Sequence, residues 1–347
     1  MSHPVRQPGL AAGFRFDGMN HRVVRLAFPG ALYARAAAVW HLRGQFTRLA
    51  SQAFQHGWPE MLIAFGAAPG DTLLCSAVLH ELRQRTRKKL WIMSGHAELF
   101  EGNPDVNRVV PFDDFFRDYV RVGGGQVPYW DSGPVVPDGD QPPKQHLIAE
   151  FCEYAGVEGP IKLRPYLQLR DEEIAKSAWA EGMIAIQSSG LGAQFPMLNK
   201  QWYPERFQAL VNRLAGGWKL IQLGSKTDPL LSGTLDLRGK TTIRETAALL
   251  HHCRLYVGNV GFLMHLARAV ECPSVIVYGG REAPGQSGYG CNLNLYSALP
   301  CAPCWLWNKC AYNRACMDRV TVEDVTAAVQ EMMARPRNPL PEDVLTL

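Results

Sequence analysis

The chain has 347 residues, 47% of them hydrophobic and 20% charged, with a formal net charge of +4. That length is generous for one core and suits two domains, and so mild a charge makes no demand for a nucleic-acid partner. No apolar run is long enough to span a bilayer and residues 1–8 lead into no apolar signal core, so neither a transmembrane helix nor secretion is expected.

Residues 1–59 read as a basic N-terminal extension. Before Glu60 the only acidic residue is Asp17, against arginines at 6, 15, 22, 25, 35, 43 and 48. Residues 14–26 have the pattern of a small hairpin. Residues 31–54 have that of an amphipathic helix, with Leu32, Val39, Leu42, Phe46, Leu49 and Ala53 on one stripe. Such a helix can dock on the main body, join a second copy, or lie on an anionic membrane surface.

A first α/β half is expected over residues 60–175. Residues 61–65 are an unbroken apolar run, as in a buried parallel strand. A turn at 66–71 leads into a helix with Leu73, Leu74, Ala77, Val78 and Leu82 on its apolar face. Strands follow at 90–93 and 108–111. A Gly-, Pro- and Asp-rich loop runs from 123 to 143, and a helix from 146 to 154. The second half, 176–335, opens with a strand at 183–186. A helix at 204–214, a strand at 218–223, a helix at 243–250, a strand at 274–278 and a helix from Thr321 to Met333 follow, and Thr321 with Asp324 suggests a capping box. Residues 336–347 read as a tail. Alternation of this kind predicts parallel sheets in two Rossmann-like halves that face a cleft.

The stretch from Leu255 to Ala269 organises the second half. A short apolar strand ends at Gly258-Asn259-Val260-Gly261, and Leu263, Leu266, Ala267 and Val270 then recur at helical spacing. Unpaired N–H groups and a positive dipole end make such a helix start a seat for phosphate, with His265 one turn in. An ordinary strand-to-helix turn explains the same pattern.

Gly70-Asp71-Thr72-Leu73-Leu74, Asn103-Pro104-Asp105-Val106-Asn107-Arg108-Val109, Lys200-Gln201-Trp202-Tyr203-Pro204 and Gly239-Lys240-Thr241-Thr242 occur in this order. They precede Val257-Gly258-Asn259-Val260-Gly261, His265-Leu266-Ala267, a cysteine cluster and Val322-Glu323-Asp324-Val325. Together they resemble the heptosyltransferase family of bacterial glycosyltransferases, glycosyltransferase family 9, over about residues 61–330. The N-terminal extension and the cysteine cluster also look like the autotransporter-modifying branch, which glycosylates protein serine and carries iron. The resemblance implies an α/β GT-B fold, inversion at the anomeric carbon, and no catalytic divalent metal. It also implies an ADP-sugar donor, with ADP-heptose the expected one, and a glycan, lipid-linked or protein hydroxyl as acceptor. The expected location is the cytoplasm, including the inner face of the bacterial inner membrane.

Inverting transfer needs a base for the acceptor proton and positive charge on the departing diphosphate. Asp71, at the carboxyl end of the first strand, matches the family's base, and aspartate there also suits a helix N-cap. Lys200 matches the family's phosphate lysine. Gly261, Phe262 and His265 match the diphosphate turn, with Asn259 just before it as a further donor contact, Asp228 the ribose contact, and Thr241 and Thr242 the base pocket. Ser188 and Ser189 could meet phosphate or simply make a turn. The family's Asp-Thr or Asp-Ser is here Asn259-Val260, which removes a hydroxyl and a carboxylate. A catalytically silent nucleotide-sugar-binding or scaffold protein on the same fold is therefore the alternative. Asp138-Gly139-Asp140 mimics a metal-binding acidic pair but reads as a solvated loop.

Cys301, Cys304, Cys310 and Cys316 fall within sixteen residues. Four thiolates suit a closed tetrahedral zinc or iron site with a structural role, and four separate reduced thiols are the alternative. Cys75, Cys152, Cys253, Cys272 and Cys291 sit in apolar contexts and are expected in the core.

Overall fold

The computed structural model describes residues 31–64, 68–127, 137–336 and 339–347, with side chains from residue 43 onward. The expected hairpin at 14–26 lies outside these residues. The chain opens with helix α1 (Ala31–His56). Strand β1 (Met61–Ala64) leads to α2 (Pro69–Arg85), then β2 (Leu90–Met93), β3 (Arg108–Val110), α3 (Asp114–Val122), α4 (Leu147–Tyr154), β4 (Pro160–Lys162) and α5 (Asp171–Ser177). The second half runs β5 (Ile184–Ile186), α6 (Pro204–Leu214), β6 (Leu220–Gln222), β7 (Leu235–Asp236), α7 (Ile243–His252), β8 (Leu255–Asn259), α8 (Phe262–Ala269) and β9 (Ser274–Gly279). It ends with α9 (Pro284–Ser287), β10 (Leu293–Tyr296), α10 (Ala315–Asp318), α11 (Val322–Ala334) and β11 (Val344–Thr346).

β1, β2 and β3 form one parallel sheet, and an isolated parallel bridge from Met61 to Gln126 flanks β1 on its other side. β1 is thus the point from which the chain departs in both directions. The larger sheet has the order β10-β9-β8-β5-β6-β7, all parallel, with Ile186 registered against both Gln222 and Val257. This is the 3-2-1-4-5-6 order of a dinucleotide-type fold, whose ligand crevice opens where β5 and β8 diverge. The strands are short and apolar on both faces because helices cover both sides. The fold is the expected GT-B arrangement.

The two halves share a core. Leu73 and Leu74 of α2 and Leu263 and Met264 of α8 belong to one buried apolar cluster. β11 returns from the C-terminus to pair antiparallel with β4, so the segment expected as a tail is stitched to the first half. Helix α1 lies on the body through part of its stripe: Leu49 and Ala53 pack with Phe116 and Tyr119, and the Arg48 guanidinium sits 3.6 Å over Phe115. Phe46, placed on the same stripe by the sequence, is instead 71% exposed, and Phe54, about two turns further along the helix, is 94% exposed. No described helix is long and apolar enough to cross a membrane.

Candidate active site

Asp71 is the third residue of α2. Pro69 starts that helix and Ala68 occupies the cap position in extended conformation. The carboxylate is therefore not spent as an N-cap, and among the described residues nothing hydrogen-bonds it. Gly70 brings α2 up to the start of α8: a Cβ placed on it would lie 3.8 Å from Phe262 Cα and 3.9 Å from His265 Cδ2. The amino ends of two helices thus meet at the carboxyl ends of β1 and β8, where open sheets place their ligands. A Cβ on Gly261, at the start of α8, would meet nothing within 4 Å, so the space over that turn is open.

Five charges converge here. Burial pushes the Asp71 carboxyl up to about 6; Lys200 and Arg281 oppose that rise, while Glu282 and Asp140 add to it. Lys200, on the turn Leu198–Lys200, pairs with Glu282 Oε1. Glu282 is 3% exposed and also accepts from Ser287 Oγ at 2.8 Å. Burial alone would raise the Glu282 carboxyl, but Lys200 and Arg281 outweigh it and hold it down at about 2. Arg281 pairs with Asp140, which comes from the first half.

His265 Nδ1 lies 2.7 Å from Tyr289 Oη, and burial depresses the imidazole to about 3. It enters the site as a neutral hydrogen-bonding group, not as the cation a phosphate would prefer. His146 caps α4: its Nδ1 accepts from the Ile148 N–H at 3.2 Å and its Nε2 donates to the Gly288 carbonyl at 3.0 Å. Burial holds it neutral as well, at about 4, so it ties the halves together without charge.

Other expected donor contacts are taken up locally. Ser188 Oγ donates to the Pro229 carbonyl at 2.7 Å, and Ser189 Oγ accepts from the Leu191 N–H at 3.0 Å, as turn-forming serines do. Asp228 is 2% exposed and accepts from the Ser225 N–H at 3.0 Å, so it faces into the turn after β6. Thr242 caps α7 in a capping box with Glu245, and Thr241 Oγ1 lies 2.8 Å from Thr246 Oγ1.

Asn259 has a defined task. Its Oδ1 accepts from the Trp202 N–H at 3.0 Å and its Nδ2 donates to Gln201 Oε1 at 3.3 Å. An aspartate could make the first bond but not the second. The departure from the family's acidic residue therefore fixes the segment that carries Lys200.

Asp138 and Asp140 are not a solvated loop. Asp138 Oδ1 accepts from the backbone N–H groups of Trp307 at 2.6 Å and Asn308 at 3.0 Å, and these bonds with that of Lys309 hold its carboxyl below the usual range against its burial. Asp140 Oδ2 accepts from Trp307 Nε1 at 2.6 Å. The cysteine segment is also bonded to the turn after β9 (Cys304 N–H to the Gly280 carbonyl, 2.9 Å) and to the lysine turn. There Asn199 Nδ2 donates to the carbonyls of Leu306 at 3.0 Å and Lys309 at 2.9 Å. Hydrogen bonds to neighbouring turns and to the first half order this segment.

All four of its cysteines are free thiols, and burial, with Cys310, Cys304 and Cys301 nearby, raises the Cys316 thiol. The donor types suit zinc or iron. Yet among the described residues no three His, Cys, Asp or Glu side chains stand close enough together to hold a metal, so the expected four-thiolate site is not formed in this arrangement. The other five cysteines are buried as expected.

Sequence reasoning missed Arg281 and Glu282, gave Gln201 no role of its own, and read Asp140 only as part of a solvated loop. Arg281-Glu282 had a legible signal, an adjacent charged pair after a Gly-Gly turn at the end of a strand. The role of Asp140 depends on a partner 141 residues away and left no local trace.

The sequence profile of glycosyltransferase family 9 (heptosyltransferase) matches residues 144–305. Lipooligosaccharide heptosyltransferase 2 of Haemophilus ducreyi is 28% identical over 160 residues, which is 38% of this chain and 45% of that protein, so the chain matches less than half of that relative's length. Among solved structures, Escherichia coli ADP-heptose LPS heptosyltransferase II superposes with a TM-score of 0.58 at 15% identity, covering 79% of this chain and 98% of that one. The iron-containing dodecameric glycosyltransferase TibC of enterotoxigenic E. coli gives 0.61 at 16% identity, covering 79% and 76%. TibC in complex with ADP-D-beta-D-heptose gives 0.57 at 17%, with the same coverage. Over residues 144–305, this chain is similar to glycosyltransferase family 9, the heptosyltransferase family.

Proposed function

We propose that this protein is an inverting glycosyltransferase that moves heptose from ADP-heptose to an acceptor hydroxyl, either on a lipopolysaccharide core sugar or on a protein serine. The observation that carries this reading is Asp71. It is a carboxylate raised to about 6, bonded to nothing among the described residues, and placed where two helix amino ends face each other beside Lys200. A base whose pKa lies near working pH is suited to proton transfer. In the proposed step the acceptor oxygen attacks the anomeric carbon from the face opposite the nucleotide. Asp71 takes the hydroxyl proton as the C–O bond forms. The bond to the β-phosphate breaks, and its charge falls on Lys200 and the N–H groups that open α8. A structural relative, TibC, is seen in complex with ADP-D-beta-D-heptose, which supports this donor.

We further propose that the four thiols hold one zinc or iron when the segment closes on them. The support is their donor chemistry and the proximity of the other three to Cys316. No step of the transfer depends on it.

A thermal-shift screen over ADP-, UDP-, GDP- and CMP-sugars tests the donor. ADP-heptose is expected to stabilise the protein most. A larger shift with a UDP-sugar would overturn the choice.

A further inference from the structure

Arg281 follows the carboxyl end of β9, the neighbour of β8 in the sheet, after the turn Gly279-Gly280. It is 2% exposed, and a guanidinium so deeply buried needs partners for each of its faces and N–H groups. The plane stacks 4.6 Å from the Trp305 ring centroid, Nε points at Met197 Sδ at 3.1 Å, and Nη2 pairs with Asp140. Nη1 is buried and, among the described residues, has no acceptor.

The surroundings repeat those of Lys200. Each cation is held by one carboxylate, Lys200 by Glu282 and Arg281 by Asp140. Each carboxylate has a second donor, Ser287 Oγ for Glu282 and Trp307 Nε1 for Asp140. Either cation can therefore turn toward an anion without stranding its partner. Asp140 and the Trp305 stack also fix the guanidinium before any ligand arrives, so little rotamer freedom is left to lose. Arginine with one arm paired and one open fits a phosphate oxygen in a way lysine cannot copy.

We propose that Arg281 is a second cation of the donor's diphosphate site, with Nη1 donating to a phosphate oxygen alongside Lys200. The inference rests on the nucleotide-sugar reading above. The competing view is that Arg281 and Asp140 only tie the halves together, in which case removing either charge should act alike.

Calorimetric titration of the full chain with ADP, inorganic pyrophosphate and adenosine separates these. R281Q is expected to weaken ADP and pyrophosphate roughly ten- to hundredfold, the scale of one charge-assisted hydrogen bond, while adenosine binding is unchanged. D140N keeps an acceptor oxygen for Arg281 but removes the competing charge, so it should bind ADP several-fold more tightly. R281K keeps the charge without the fork and should fall between wild type and R281Q; it also serves if R281Q fails to fold. Equal ADP affinity in wild type and the Arg281 variants overturns this inference and leaves the donor reading standing. Equal weakening by D140N and the Arg281 variants makes the pair a simple tie and also overturns it. A wild-type protein that binds neither ADP nor pyrophosphate overturns both readings.

Discussion

Asp71 stands in the first turn of α2, where the helix dipole favours a negative charge, yet burial lifts it from 3.8 to about 6. A carboxylate raised in this way costs stability whenever the folded protein must keep it ionised. Below about pH 4 the group is protonated in both folded and unfolded chains and costs nothing. The cost grows between pH 4 and 6 and is complete above, on the order of 2–3 kcal/mol for a shift of this size. D71N is therefore expected to melt higher than wild type at pH 7.5, with the difference vanishing near pH 4. Equal melting temperatures at pH 7.5 would show that the carboxylate is not strained. Asn259 gives a second test at this scale. N259D loses the bond to Gln201 Oε1 and sets two oxygens against each other. Gln201 cannot turn its amide around without losing the bond its Oε1 accepts from the Gly190 N–H at 2.6 Å. The expected loss is about 1–3 kcal/mol in denaturant unfolding, and an unchanged midpoint would remove the role assigned to Asn259.

At the scale of elements, the cysteine segment braces the turn that carries Lys200 and the end of the loop from the first half. Its carbonyls at 306 and 309 hold Asn199, next to Lys200, and its N–H groups at 307–309 hold Asp138 of the first half. These bonds tie the segment to the turn that carries Lys200. C304S and C310S should lower metal content and melting temperature together. They should also raise the KM for the donor several-fold at temperatures where the variants remain folded. Lost stability with an unchanged donor KM would confine the segment to scaffolding. The strands at 90–93, 184–186 and 274–279 were legible because unbroken apolar runs are what doubly covered parallel strands require. β10 and β11 were not: β10 is an edge strand with only half-buried residues, and β11 is three residues long with two of them exposed. Nothing in either local pattern names a partner.

At the scale of the whole molecule, the halves are joined by a charge network that no short sequence window contains. Arg268 of α8 is 1% exposed and is held by Glu271, Glu342 and the Pro341 carbonyl, while Arg164 pairs with the same two glutamates. Deleting residues 340–347 removes Glu342 and β11, leaving a buried guanidinium with part of its compensation gone. The expected cost is about 3–5 kcal/mol, read as a large drop in melting temperature. A truncated chain as stable as the full one would mean that the C-terminal strand adds nothing. The cleft was legible in outline, because turns after apolar strands mark the carboxyl ends of both sheets. Its charge balance was not, because Asp71, Asp140, Lys200 and Arg281-Glu282 come from four distant parts of the chain.

In the proposed mechanism, Asp71 acts as the base in transfer from ADP-heptose. The most direct test is single-turnover transfer from ADP-heptose to truncated lipopolysaccharide core and to a serine-containing acceptor protein, with wild type and D71N, from pH 5 to 8. Wild type should transfer to one acceptor, with a rate that rises through about pH 6. D71N should bind the donor almost as well yet react roughly two to four powers of ten more slowly, without that pH dependence. Wild-type rates from folded D71N, or no transfer by wild type to either acceptor while ADP-heptose is bound, would contradict the account.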